Sequence, residues 1–164
     1  MKPGAPVVPR WAELRCALVE TPDKARSNPI GTVEGFDMSA VNVLMPPANV
    51  RLNCTSGSTE QRSQPGSALA KDFHAEPPFG DDIGNLELIS DGGRVNGVAQ
   101  WLRLDFGDGN ILENSPFTSE ESNWGRPLTL FAAPLDTRPG QIVRVRLRRI
   151  GETLIVSHVA STHQ

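Results

Sequence analysis

No apolar run in the chain approaches the 18 residues of a membrane-spanning helix. The first residues, Met1-Lys-Pro-Gly-Ala-Pro-Val-Val-Pro9, hold no apolar core of signal-peptide length. A cytoplasmic, reduced setting with no membrane contact is therefore expected. Cysteine is scarce: Cys16 and Cys54 show no C-x-x-C or zinc spacing and allow one disulfide at most. Asn53-Cys54-Thr55 fits a glycosylation sequon, but without a secretion signal it reads as a chance match. Lysine is rare too, with three against 13 arginines. The balance of 16 basic and 19 acidic residues leaves a net charge of −3, so no global nucleic-acid footprint is expected. G-x-G-x-x-G and G-K-[ST] loops are missing, which removes the usual nucleotide cradles. G-x-S-x-G is missing as well, and His74, His158 and His163 lie far apart, so no independent catalytic triad is expected. No heptad pattern or internal repeat is present.

Turn-forming residues are abundant instead. Gly and Pro make up about 18% of the 164 residues, against a usual ~12%. The length suits one domain with a real core, and the composition suits many short strands. Residues 1–10, with three prolines and one glycine, read as a lead-in. From Trp11 to Val19, Ala12, Leu14, Cys16 and Leu18 alternate with Glu13 and Arg15, the pattern of a half-buried strand. Ile30–Phe36 is a short extended piece. Asp37 is placed to cap a short helix over Ser39–Met45, which Pro46-Pro47 stops. Val50–Leu52 is a brief strand, residues 54–67 read as a mobile polar loop, and Ala68–Phe73 reads as a strand. Leu86–Ile89 followed by Asp91-Gly92-Gly93 signals a hairpin into the next strand. Near the end, Val143, Val145 and Leu147 point inward while Arg144, Arg146 and Arg148 point outward. Gly151-Glu152 then suits a two-residue hairpin turn. The expected fold is all-β: a barrel-like sandwich of about eight to ten mostly antiparallel strands, with one short helix in an arm. Residues 11–160 form the domain, 35–66 its arm and mobile loop, and 161–164 a tail.

The densest strand and turn signals run from Arg94 to Phe131. Val98, Leu102, Leu104 and Phe106 share one face of a strand, and Ala99 and Trp101 the other. Asp105 and Asp108 lie close together, but their spacing fails the alternating ligands of a calcium loop and fits a hairpin turn at 107–110. The row Arg144, Arg146, Arg148 and Arg149 fits phosphate, yet fits better the solvated face of an outer strand, where it discourages edge pairing. The segment Ser115–Trp124 places a proline, acids and a tryptophan between two strands. Loops of that kind on a rigid scaffold carry recognition. There Glu120 and Glu121 can hold a cation such as a guanidinium with Trp124 stacked on it, or Trp124 can anchor the loop to the core.

Four ordered segments resemble the protein arginine methyltransferases. Gly35-Phe36-Asp37-Met38-Ser39 is similar to the segment that opens that family's arm. Asn96–Phe106 resembles its central barrel strand. Asn114-Ser115-Pro116 followed by Ser122-Asn123-Trp124-Gly125-Arg126 resembles its "Ser-x-Ser-Pro … Thr-His-Trp-Lys-Gln" loop. Pro139-Gly140-Gln141-Ile142 resembles the turn that follows. The resemblance extends over roughly residues 7–160 and corresponds to the C-terminal β-barrel half. The resemblance implies that S-adenosylmethionine and the paired substrate-holding glutamates belong to a separate Rossmann-like half, with neither a cofactor site nor catalytic residues on this chain. It implies substrate contacts at Asn123 and Trp124, a protein substrate, and an arm that pairs two copies; Glu121 joins those contacts from the loop's own chemistry and is not one of the family's paired glutamates. Asn123 stands where the family carries histidine; asparagine exchanges hydrogen bonds but holds no proton charge near neutral pH. A free-standing β module that binds or adapts is the other function expected of such a chain.

Overall fold

Alternation of side chains and regularly spaced turns produce an almost wholly β structure. The computed structural model describes residues 8–21, 30–44, 49–51, 59–75, 82–118, 122–150 and 153–159. Among these residues twelve strands form: β1 (Trp11–Glu20), β2 (Thr32–Val33), β3 (Phe36–Asp37), β4 (Asn49–Arg51), β5 (Glu60–Gln61) and β6 (Gly66–Asp72), then β7 (Asp82–Ile89), β8 (Gly93–Asp105), β9 (Ile111–Glu113), β10 (Pro127–Thr137), β11 (Ile142–Ile150) and β12 (Thr153–Val159). The count exceeds eight to ten because β2, β3 and β5 are only two residues long. The expected helix forms as a 3₁₀ turn over Ser39–Leu44, and Asp37 caps it as anticipated, its carboxylate accepting the Ser39 N–H at 2.9 Å. That bond holds the Asp37 carboxyl below its ordinary range.

Every strand pair among the described residues is antiparallel. The large sheet has the order β4-β10-β8-β1-β5, with β6 also on β1 and β9 also on β8. The small sheet is β12-β11-β7, and β2-β3 is a separate hairpin. The two larger sheets face each other as a sandwich. Cys16, Leu18 and Val98 from one layer meet Leu88, Val143, Val145, Leu147 and Val156 from the other. Burial pushes the Cys16 thiol up to about 12, so it packs as an inert apolar group. The second face of the large sheet is also buried, with Ala17, Val19, Ala99, Trp101, Leu128 and Leu130 packed together. β1 is therefore not the half-buried strand that its alternation predicts: Cys16 through Val19 are covered on both faces. Glu13, expected on the outer face, is buried between Arg15 and Arg103 at 3.8 and 3.6 Å, as a charge withdrawn from water requires.

Two further expectations change. β7 and β8 do not form a hairpin; β7 pairs with β11, Leu88 opposite Val143, and the chain changes layers at 90–93. Turn residues suit a corner as well as a hairpin, and here the corner lets Leu88 and Val98 face one core from opposite sides. A Pro139-Gly140 turn docks on that corner. Gln141 N–H donates to Arg138 O at 3.0 Å and Gly140 N–H to Ser90 O at 2.8 Å, and Gly140 takes the left-handed φ of 83° that this turn demands of its third residue. Within the stretch read as loop, Glu60–Gln61 and Gly66 are strand and Ser63 forms a bridge to Ser90: the buried Ser63 hydroxyl accepts the Leu18 N–H at 2.9 Å. Cys54 and residues 52–58 lie outside the described residues. The hairpin of β11 and β12 forms with Ile150 opposite Thr153, and Arg144, Arg146 and Arg148 are exposed as expected. Arg144 bonds Glu87 at 2.8 Å and Arg146 bonds Asn85 at 3.2 Å on that face.

The layers meet where β6 passes β7. A Cβ on Gly84 would stand 2.2 Å from the Ala68 carbonyl oxygen. Gly84→Ala is therefore expected to cost about 1–3 kcal/mol in urea unfolding. Gly31→Ala, with nothing within 4 Å of the added carbon, should leave the midpoint unchanged. His158 supplies a pH test. Its ring lies 5.3 Å from that of Phe131, and burial lowers its pKa below the ordinary 6.5. The folded state thus prefers neutral imidazole. Its contribution is intact above about pH 6.5 and is lost as pH falls below that value, because the unfolded chain takes up the proton first. Unfolding midpoints of His158→Phe should show a shallower acid decline than those of the unchanged protein.

Candidate functional site

The site grows from an interruption in the strand that pairs with the second edge of β8. Glu113 of β9 faces Arg103, and Leu128 of β10 faces Ala99. β9 and β10 thus run along one edge of β8 in the same direction. Four residues of β8 separate those two pairings, against fifteen of the partner, so eleven residues are extruded as a loop. Its ends leave and rejoin one sheet edge about 13 Å apart at the rise of a β-strand. Such a loop, with close ends and its own packing, is a common carrier of binding function.

Three contacts close the neck. Asn114 continues the ladder past β9: its N–H donates to Leu102 O at 3.1 Å, and its side-chain oxygen accepts the Leu102 N–H at 2.8 Å. Arg126, only 2% exposed, donates from Nε to the Asn114 carbonyl at 2.8 Å. Phe117 sets its ring edge-on to Trp101, with centroids 5.8 Å apart at 87°, and roofs the part of β8 that the interruption uncovers. Trp101 Nε1–H donates to Glu113 Oε1 at 2.7 Å. The two guanidinium groups of Arg15 and Arg103 flank that carboxylate at 4.0 and 3.6 Å. A groove of about 370 Å³ runs beside this limb, walled by Trp101, Ile111, Glu113, Ser115, Phe117 and Thr118, with Gln61 and Pro65 opposite.

The outer limb turns at Ser122, whose hydroxyl accepts the Trp124 N–H at 3.2 Å. It presents Asn123 and Trp124 to solvent, Trp124 with 45% of its surface exposed. Of the two readings of Trp124, the anchor to the core belongs instead to Phe117. Glu120 and Glu121, the expected cation holders, lie outside the described residues. At the other suspected site, the Asp105 carboxylate accepts the Gly107 N–H at 2.8 Å and β9 pairs back on β8, which makes 107–110 the hairpin turn read from the sequence. His74 is exposed and His158 half-buried against Phe131, and His163 lies outside the described residues. Sequence reasoning missed the parts of Asn114 and Arg126. The only written sign was an arginine immediately ahead of an apolar strand with no acid beside it.

Relatives share this architecture over part of their length. No protein-family profile matches the chain. An arginine N(omega)-methyltransferase of Streptomyces achromogenes subsp. streptozoticus is 26% identical over 160 residues, covering 96% of this chain and 43% of that protein. Among solved structures, the PRMT1 enzyme-prozyme heterotetramer of Trypanosoma brucei, with AdoHcy, aligns at a TM-score of 0.66 and 13% identity, over 86% of this chain and 48% of its own. Protein arginine methyltransferase 10 of Arabidopsis thaliana aligns at 0.67 and 15% identity, over 90% and 52%. PRMT6 aligns at 0.60 and 14% identity, over 93% and 55%. The chain is thus similar to arginine methyltransferases in sequence and shares a fold with part of them, spanning about half the length of the proteins it matches.

The two tryptophans of this region should behave oppositely on truncation. Trp124→Ala is expected to change unfolding free energy by no more than ~0.5 kcal/mol, as at an exposed position. Trp101→Ala should cost about 3–5 kcal/mol in the same chemical-denaturation measurement.

Proposed function

We propose that this chain is the β-rich part of an arginine-methyltransferase-like, S-adenosylmethionine-dependent enzyme and is not catalytic alone. In this reading a Rossmann-like domain binds the cofactor, docks on the β-sandwich and supplies the reacting groups. The chain's own residues do not fit the cofactor, since no glycine-rich cradle occurs in the sequence. Its extruded loop walls one side of the substrate cleft. Asn123 offers hydrogen bonds there, Trp124 offers a ring face to a cation such as a guanidinium, and Glu121 of the same loop adds a carboxylate. A protein side chain is the substrate class that suits such a wall.

The observation that carries this reading is the loop itself: eleven residues extruded from a paired sheet edge, with Trp124 exposed at 45%. The extent of the match to an arginine N(omega)-methyltransferase, nearly all of this chain and under half of that protein, supports a shared enzyme architecture. The arm supports self-association of the assembled protein. Val33, Phe36 and Met38 of the β2–β3 hairpin are 50%, 73% and 40% exposed, and a two-stranded ribbon that short gains stability by packing on something else.

Pull-down with this chain from its source, followed by labelled S-adenosylmethionine binding and methyl-transfer assays, tests the proposal. The isolated chain should bind no labelled cofactor, and the complex should transfer methyl groups to a peptide containing arginine. Trp124→Ala should lower transfer about tenfold, equivalent to ~1.4 kcal/mol of a desolvated cation–π contact. Stoichiometric cofactor binding by the isolated chain would refute the division of labour. Absence of any cofactor-binding partner would favour the free-standing β module.

A further inference from the structure

The extruded loop is held by its neck, and we propose that Arg126 is a positioning residue that sets where Trp124 and Asn123 stand. The inference rests on reading the loop as the functional wall, but it concerns how the loop is held. β10 begins at Pro127 and pairs with β8 from Leu128, so Arg126 is the last residue before the strand that carries the chain back to β8. Asn114 is the first residue after β9. The hydrogen bond from Arg126 Nε to Asn114 O, at 2.8 Å, therefore joins the two ends of the loop directly. Asn114 is itself held to Leu102 by two hydrogen bonds of 3.1 and 2.8 Å, one from its own N–H and one to its side-chain oxygen. The chain of contacts runs from β8 through Asn114 to Arg126 and ends two residues short of Trp124.

Burial gives this latch its stiffness. Arg126 and Asn114 are 2% and 3% exposed, so water cannot readily replace the bond between them. A guanidinium is also an unusual choice for so buried a place, because withdrawing its charge from water is costly unless its donors are used. Length matters too. A shorter polar side chain at position 126 would not span from the start of one strand to the end of the other with the same planar donor. The first limb has its own anchor in Phe117 on Trp101, whereas the exposed stretch Asn123–Gly125 adjoins the latch in sequence. Opening the latch is therefore felt at Trp124 before it is felt at Trp101.

Fluorine NMR of the chain labelled with 5-fluorotryptophan reads this directly. Trp11, Trp101 and Trp124 give three resonances, and Trp124→Phe assigns the third. Arg126→Met keeps the length and removes the donors. It should move the Trp124 resonance toward the free-indole position and narrow it, with the Trp101 resonance in place. Asn114→Ala, which removes the side-chain half of the tie to Leu102 and leaves the backbone half, should move the same resonance in the same direction by a smaller amount. Arg126→Lys, which keeps a donor and the charge, should return the signal part of the way. An unmoved Trp124 resonance in both Arg126→Met and Asn114→Ala would overturn the proposal. So would equal displacement of all three resonances in Asn114→Ala, since the neck would then hold the whole sandwich and not the loop. Failure of the methyltransferase reading would leave these spectra unchanged, so the two ideas fall separately.

Discussion

The pairing of β1 with β8 is the constraint on which the remainder depends. Nine consecutive positions of each strand face one another, from Trp11 opposite Asp105 to Val19 opposite Gly97. Both strands are buried on both faces through their middle: Cys16 to Val19 on one, and Val98, Ala99 and Trp101 on the other. Such a pair has no solvent-facing side to spare, so two cores form against it. One lies between the sheets, the other beneath the loop that Phe117 anchors. The free edge of β1 takes β6 and β5, and the free edge of β8 takes β10 and β9. Register along this pair thereby sets the position of every strand in the large sheet.

An edge that must be paired can still be interrupted if its hydrogen bonds are met in another way. Leu102, within the interruption, has both of its backbone groups met by Asn114. Trp101 beside it turns its N–H to Glu113 and its ring to Phe117. Backbone satisfaction and apolar cover together make the extruded loop compatible with a stable sheet. They also divide the loop into an inner limb that serves the fold and an outer limb, Ser122 to Gly125, that can serve recognition. A rigid scaffold carrying an exposed aromatic is the arrangement that the proposed substrate wall would use. The alternating arginines of β11 act elsewhere. Arg144 and Arg146 pair with Glu87 and Asn85 across the outer face and keep that layer solvated.

Much of the fold was legible where local chemistry decides. Asp37 ahead of Ser39 announced a cap, Pro139-Gly140 announced a turn, and the period-two pattern from Val143 to Leu147 announced an inward and an outward face. The loop with Asn123 and Trp124 was legible as a candidate from its residue types. What misled was of a different kind. Asp91-Gly92-Gly93 has the chemistry of a hairpin and makes a corner between layers, because turn residues specify a change of direction and not the strand that follows. Polar residues around Ser63 read as loop, yet the serine hydroxyl is a buried acceptor that replaces a ladder contact to Leu18. Glu13 looked solvated and is buried because two arginines, one on its own strand and one on β8, reach it.

By itself the sequence determined the all-β class, the inward face of β11, the turns, and the likeness to arginine methyltransferases along ordered segments. Those properties reside in side chains close together along the chain: alternation, capping distance, and glycine or proline at a bend. The tertiary structure alone decided that β7 joins β11, that the partner of β8 is broken by eleven residues, and that Trp101 is 1% exposed while Trp124 is 45%. Side-chain period tells a strand which face to bury but not which neighbour to choose. That choice is made by long-range pairing and by the burial it permits.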